Sequence, residues 1–222
     1  MTLLPFFSLE DYAHKALFEG CQYPWEALER LQAYLGKQPL GKIEVELPNS
    51  VYLINPESIS IGANTVVEPG VYIQGPCIIG SGCSVRHGAY IRGDVITGDG
   101  CVIGHDTEVK HSIFLNRAIA AHFNYVGDSI LGNDVNLGAG VKCANLRLDH
   151  ECIRVDFEGA RIETRLKKLG AIVGDGAQVG CNCVINPGTI LGKKSFCFPC
   201  LNIYGHIPDN GKVKPAMKNS VE

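Results

Sequence analysis

The chain has 222 residues, ten cysteines and a formal net charge of −3. That length suits one sizeable domain with at most a small appendage, and 45% apolar against 19% charged residues excludes wholesale disorder. The acidic balance argues against a nucleic-acid surface. No apolar run reaches the roughly 18 residues of a membrane span, and residues 1–10 lack the basic start of a leader, so a cytoplasmic location is expected.

Residues 1–48 stand apart from the rest. Ser8 is placed to cap a short helix starting at Leu9-Glu10-Asp11. Pro24 opens a second, in which Leu28, Leu31 and Leu35 share one face and which Gly36 ends. Residues 37–48 read as a connector, and the whole α-helical segment as a packing or capping unit.

From residue 49 the pattern has period six. Ile61, Val67, Ile73, Ile79, Val85, Ile91, Thr97, Ile103, Val109, Leu115 and Ala121 form one series, which resumes as Val173, Val179, Ile185, Leu191, Cys197 and Ile203. Neither a helix nor a flat strand has that period. It marks a parallel β-helix of hexapeptides, three to a coil, with the series pointing inward. The 26 glycines, about 12% of the chain against roughly 7% in ordinary domains, suit its many corners. Cys77, Cys83, Cys101, Cys183 and Cys197 fall in inward positions, so the cysteines read as free, small apolar fillers and not as disulfides or zinc ligands.

The register breaks twice in this reading, between Ala121 and Leu131 and across residues 144–169. The second break, rich in both charges, reads as a projecting loop or strand–turn–strand arm. Residues 49–205 form the β-helix and 206–222 a tail.

Arg92 and Lys110 are one coil of eighteen apart and stack on one face. Two stacked cations suit a bridging phosphate, or are solvated charges balanced by Asp94 and Glu108. His122, in the first break beside Asn124 and Tyr125, is a candidate general base or a surface residue. The turn Asn136-Leu137-Gly138-Ala139-Gly140 offers backbone N–H groups to an oxyanion. The spacings of His87, His105, His111 and His122 put them on different faces of one subunit, where only a trimer interface could reunite them, so no metal is expected.

The ordered set Lys110…His122-Phe123-Asn124-Tyr125…Asp128…Asn136-Leu137-Gly138-Ala139-Gly140…Asn145 resembles the acetyltransferase half of bifunctional glucosamine-1-phosphate N-acetyltransferases/N-acetylglucosamine-1-phosphate uridylyltransferases. Ala144-Asn145-Leu146-Arg147 and Lys167-Lys168-Leu169-Gly170 look closer to the related archaeal-type sugar-1-phosphate nucleotidylyltransferases. The resemblance covers about residues 50–205. It implies a mainly β, left-handed parallel β-helix, a homotrimer, and acetyl-CoA as co-substrate. It implies that Arg92 and Lys110 grip a sugar phosphate, that Glu108, Tyr125, Asn136 and Asn145 line the sugar pocket, that His122 is the base, and that Ala139 and Cys181 meet the coenzyme.

The resemblance departs at Asn124, Leu146, Cys181 and Phe198-Pro199, mostly along the coenzyme groove. For the basic residue that meets the coenzyme, Lys193, Lys194, Lys212 and Lys214 are the candidates. The first 48 residues hold no nucleotide-binding loop, so uridylyl transfer is not expected. The expected activity is N-acetylation of an amino-sugar 1-phosphate. The alternative is a non-catalytic trimerising or sugar-phosphate-binding partner of a separate nucleotidylyltransferase. A zinc hydratase of the γ-carbonic-anhydrase type, which Ile91-Arg92-Gly93-Asp94 superficially resembles, ranks third.

Overall fold

The structure is a computed structural model in which residues 6–215 are described. Expectations placed on residues 1–5 and 216–222 lie outside the described residues. Among the described residues, three eight-stranded parallel sheets form the walls of a triangular prism. Face 1 runs from Tyr52–Ile54 to Asn202–Ile203, face 2 from Ile59–Ile61 to His206–Ile207, and face 3 from Val66–Val67 to Lys212–Val213. The chain visits them in the order 1, 2, 3, and each strand pairs with the one a coil later, giving a mainly β, parallel β-helix of hexapeptides.

The inward series is buried as the period requires. Ile73, Ile91, Val109 and Val126 line face 1 from within, and Val67, Val85 and Ile103 line face 3. All ten cysteines are unpaired. Cys77, Cys83, Cys101, Cys183 and Cys197 fill the interior as expected, joined by Cys143. Burial pushes the Cys77, Cys143 and Cys197 thiols up to about 12. Coils stack so closely that a Cβ at Gly104 would fall 1.7 Å from the Ala121 carbonyl oxygen.

The first register break lies earlier than the sequence reading placed it. Thr97 stacks under Phe114 and Ile103 under Ala120, intervals of seventeen. Phe114 and Ala120 therefore point inward, while Leu115 packs outside the prism and Ala121 is partly exposed. One residue is missing at Lys110-His111-Ser112, and the same shortening recurs at Gly127-Asp128-Ser129, where the inward series steps from Val126 to Leu131. Both five-residue steps turn the corner from face 1 to face 2. His122 thus sits at an ordinary corner and not in a slip.

The arm leaves that same corner, between Cys143 of face 1 and Ala171 of face 2. It is a strand–turn–strand, Arg154–Phe157 antiparallel to Ala160–Glu163, but it does not project. Ile153, Val155 and Phe157 are buried, and the Phe157 ring stacks 5.5 Å from Phe6 and 4.6 Å from His206.

What it helps to cover is an apolar stripe. Ile96, Ile113, Ile130, Ile172 and Ile190 point outward from face 2, yet each is at most 1% exposed. The N-terminal segment covers them together with the arm. Its helix, Glu26–Leu35, buries Leu28, Leu31 and Leu35 and is followed by Gly36. Each fully buried aliphatic is worth about 1.5–3 kcal/mol, so this cover is a large part of the fold.

The helix expected after Ser8 does not form; a single 3₁₀ turn, Lys15–Phe18, stands nearby. Tertiary bonds take its place. The Ser8 N–H donates to the Asp175 carboxylate at 2.7 Å. Asn133 and Asn116 side-chain amides donate to the Ser8 and Asp11 carbonyls at 2.8 and 3.0 Å. The strap so held makes isolated turns, Tyr12 N–H to the Leu9 carbonyl and Lys15 N–H to the Tyr12 carbonyl at 3.2 Å each, in place of the expected helix.

Residues 42–48 do more than connect. Ile43 bridges to Ile61, and Ile43, Val45 and Leu47 close the open end of the core. The coils also continue past residue 205, the expected end, because His206–Ile207 and Lys212–Val213 still pair on faces 2 and 3. No helix among the described residues is long and apolar enough to cross a membrane.

Candidate functional site

The outer surface of face 1 carries two columns of side chains, set by strand alternation. The first holds Tyr52, Tyr72, Tyr90, Glu108 and Tyr125 in paired register. The second holds Gln74, Arg92 and Lys110, followed by Gly127. Arg92 and Lys110 therefore stack one coil apart, as their spacing predicts.

Neither cation is left bare. Arg92 donates to the Glu108 carboxylate at 2.6 Å, which keeps its guanidinium pKa above the ordinary value. Lys110 donates to Asp128 at 3.0 Å, and the Asn145 side-chain amide donates to the same carboxylate. Asp128 is only 6% exposed, and its φ of +47° places it in the left-handed region, at the second shortened corner. The result is a zwitterionic patch with alternating charge, cation–anion on one coil pair and cation–anion on the next.

Tyr125 lies between these pairs. Its hydroxyl pKa is raised, first by burial and then by the Asp128 and Glu108 charges. Gly127 is what lets this happen: a Cβ there would stand 2.6 Å from the Tyr125 hydroxyl and 2.7 Å from the Asn145 amide. The column gives up a side chain so that two neighbours can close over the gap. Beyond Asn145 a groove of about 580 Å³ opens, lined by Ala144, Leu146, Arg147, Asn186 and Tyr204 among others.

The corner from face 3 to face 1 forms a second column. His105 stacks on His87 with ring centroids 5.7 Å apart, and His122 follows one coil on. Three of the four histidines thus share one corner, contrary to the interval argument, because coils of 18 and 17 residues superpose them. Among the described residues no three metal-ligating side chains converge. Ala139 follows His122, with the Gly140 N–H donating to the His122 carbonyl at 2.9 Å, and Cys181 follows Ala139, with the Asn182 N–H donating to the Ala139 carbonyl at 2.8 Å. Phe198-Pro199 end the column, and Lys214 lies 5.9 Å from the Phe198 ring. Lys193 and Lys194 lie on the opposite corner, where Lys193 faces Asp175, so of the four basic candidates only Lys212 and Lys214 border this column.

The sequence-derived residues therefore fall into three places. Arg92, Glu108, Lys110, Tyr125 and Asn145 meet on face 1. His122, Ala139 and Cys181 stand in file along its leading corner. Asn136 is on face 3, beside Ile119 and Gln178, around that corner from the rest. Asp128 was not among the chosen site residues; the five-residue step at Gly127-Asp128-Ser129 is the signal that would have placed it above His111. A separate concavity of about 580 Å³, where the strap meets the corner from face 2 to face 3, holds the Arg117–Asp134 pair and the Asn133–Asp175 hydrogen bond.

These features define a parallel β-helix of hexapeptides with a charged, tyrosine-bearing face beside a glycine-rich corner. The family model described as GMPPB C-terminal domain matches residues 73–195, more than half of the chain, and the chain belongs to that family. It is similar to the bifunctional protein GlmU of Methanococcus maripaludis strain C7, with 40% identity over 179 residues, 78% of this chain and 41% of the relative. The protein of that name from Methanococcus maripaludis strain S2 is 33% identical over 82% of this chain and 43% of its own length. The bifunctional sugar-1-phosphate nucleotidylyltransferase/acetyltransferase of Sulfurisphaera tokodaii is 40% identical over 92 residues, 41% of this chain and 23% of the relative. The chain thus spans less than half the length of these curated relatives.

Proposed function

We propose that the chain transfers an acetyl group from acetyl-CoA to the amine of an amino-sugar 1-phosphate, as part of a homotrimer. The observation that carries this reading is the zwitterionic patch of face 1. An amino-sugar phosphate brings an ammonium and a phosphate, and Arg92–Glu108 and Lys110–Asp128 offer both signs within two coils. Partner exchange, phosphate for carboxylate on the two cations, gives charge-assisted bonds of the strong kind.

The roles follow from position. Arg92 and Lys110 hold the phosphate, and Tyr125, Asn145 and Glu108 contact sugar hydroxyls. His122, at the leading corner of the same face, takes the proton from the ammonium; the freed amine attacks the thioester carbonyl, the C–N bond forms, and the C–S bond breaks with CoA leaving as thiol. The backbone N–H of Ala139, which takes no part in the inter-coil bonds that engage the Gly138 and Gly140 N–H groups, is the candidate donor to the oxyanion. The corner suits the coenzyme arm: Ala139, Gly140 and Cys181 are small, and Phe123 and Phe198 offer apolar flanks. Asn136 completes the pocket from a second copy, since within one chain it faces away.

Mass spectrometry of a mixture of the protein, acetyl-CoA and glucosamine-1-phosphate tests this. The N-acetylated sugar phosphate should accumulate in proportion to enzyme. Binding of the sugar phosphate with no product would favour the non-catalytic partner role.

A further inference from the structure

Face 1 does not end at Arg92. The column that supplies Glu108 and Tyr125 continues toward the N-terminal end as Tyr90, Tyr72 and Tyr52, one per coil. Tyr52 is 63% and Tyr90 40% exposed. The Tyr72 and Tyr90 rings meet edge to face at 5.2 Å, and the Arg92 guanidinium carbon lies 5.8 Å from the Tyr90 centroid. Gln74, half-buried, stands between Tyr72 and Arg92 in the neighbouring column, with both an amide donor and an acceptor.

The coils act as a ruler with steps of about 4.8 Å. His122 and Tyr125 share one coil, Lys110 and Glu108 lie one step before it, Arg92 and Tyr90 two, and Tyr72 and Gln74 three. With the amine at His122 and the phosphate between Lys110 and Arg92, whatever the phosphate carries is directed onto Tyr90 and Tyr72. Aromatic faces that stack any flat ring, next to cations that hold phosphate and an amide that can read an edge, describe a nucleoside site.

Resting on the acetyl-transfer reading above, we propose that the preferred acceptor is an amino sugar linked to a nucleoside diphosphate, its base stacked on one ring of the perpendicular Tyr72–Tyr90 pair and flanked by the other, with Gln74 at the base edge. The free sugar 1-phosphate fills only the inner half of this site. The group transferred and the fate of the proton are unchanged; the leaving group is still CoA.

The test compares kcat/KM for a 2-amino sugar 1-phosphate with that for the same sugar as its uridine and guanosine diphosphate conjugates, in the wild type, Tyr72→Ala and Tyr90→Ala. Light scattering of each variant runs alongside. At least one conjugate should be preferred by tenfold or more in the wild type, and each alanine should cut that ratio by about 5- to 150-fold, the usual loss for one base–aromatic stack. Equal kcat/KM for conjugates and 1-phosphate in the wild type would overturn the proposal while leaving acetyl transfer intact. So would an unchanged ratio in both variants, or dissociation of the Tyr90→Ala assembly with equal loss on all substrates, which would make the column a subunit contact. No turnover of any acceptor would overturn the acetyl-transfer reading and this inference together.

Discussion

Lys110 and Asp128 occupy successive coils at one corner, with Nζ 3.0 Å from Oδ2 and side chains only 23% and 8% exposed. The carboxylate serves two partners, since Asn145 donates to it as well. Asp128→Ala would strand both, and an unpaired buried polar partner costs about 1–3 kcal/mol. The variant should lose roughly that much stability in urea unfolding and at least tenfold in kcat/KM. Asp128→Asn, which keeps an acceptor, should recover part of both.

Arg92 is more exposed, and among the described residues its side chain hydrogen-bonds to Glu108 and lies over the Tyr90 ring. Arg92→Ala should raise KM for the sugar phosphate with little change in kcat, because the lost contact is made equally in ground and transition states. Steady-state kinetics would check it; an unaltered KM would take Arg92 out of the pocket.

The apolar stripe on face 2 depends on the N-terminal cover. Leu31, fully buried between the helix and the outward isoleucines, is the most direct handle. Leu31→Ala should cost about 2–5 kcal/mol, read as a lower urea midpoint with increased binding of a hydrophobic dye.

His14 and His206 have pKa values lowered by burial, His14 between the Tyr12 and Tyr34 rings and His206 against Phe157. In the unfolded chain both return toward 6.5 and bind more protons. Stability therefore falls as pH drops below about 6.5. Unfolding measured at pH 7.5 and 5.5 should show the loss, and the double variant His14→Gln/His206→Gln should flatten it.

Much of this architecture was legible in the sequence because one physical signal, the sixfold recurrence from Ile61 to Val109, reports each inward residue directly. It failed where a corner lost a residue. A step of five leaves an aliphatic, Leu115, at the expected place, so the pattern holds on paper until Ala121 and hides the slip at 110–112, while the slip at 127–129 falls within the break read between Ala121 and Leu131. Asp128 was hidden with them. The Ser8 cap failed for a different reason: the partners of Ser8, Asp175 and Asn133, are over a hundred residues away, as is Asn116, the partner of Asp11. Arg92 and Lys110 could be set together because they lie a whole coil apart, whereas Tyr125 and Asn145 joined them only through the family resemblance. What covers face 2 was not legible, since nothing local says where an amphipathic helix docks.

The central claim is that His122 acts as the base for a sugar phosphate held by face 1. Its most direct test is the rate of CoA release from acetyl-CoA with glucosamine-1-phosphate, for wild type and His122→Ala, beside calorimetric binding of the sugar phosphate to each. The account predicts a 10²- to 10⁴-fold loss of rate with binding nearly unchanged. Equal rates in the two proteins, or binding lost in step with rate, would contradict it.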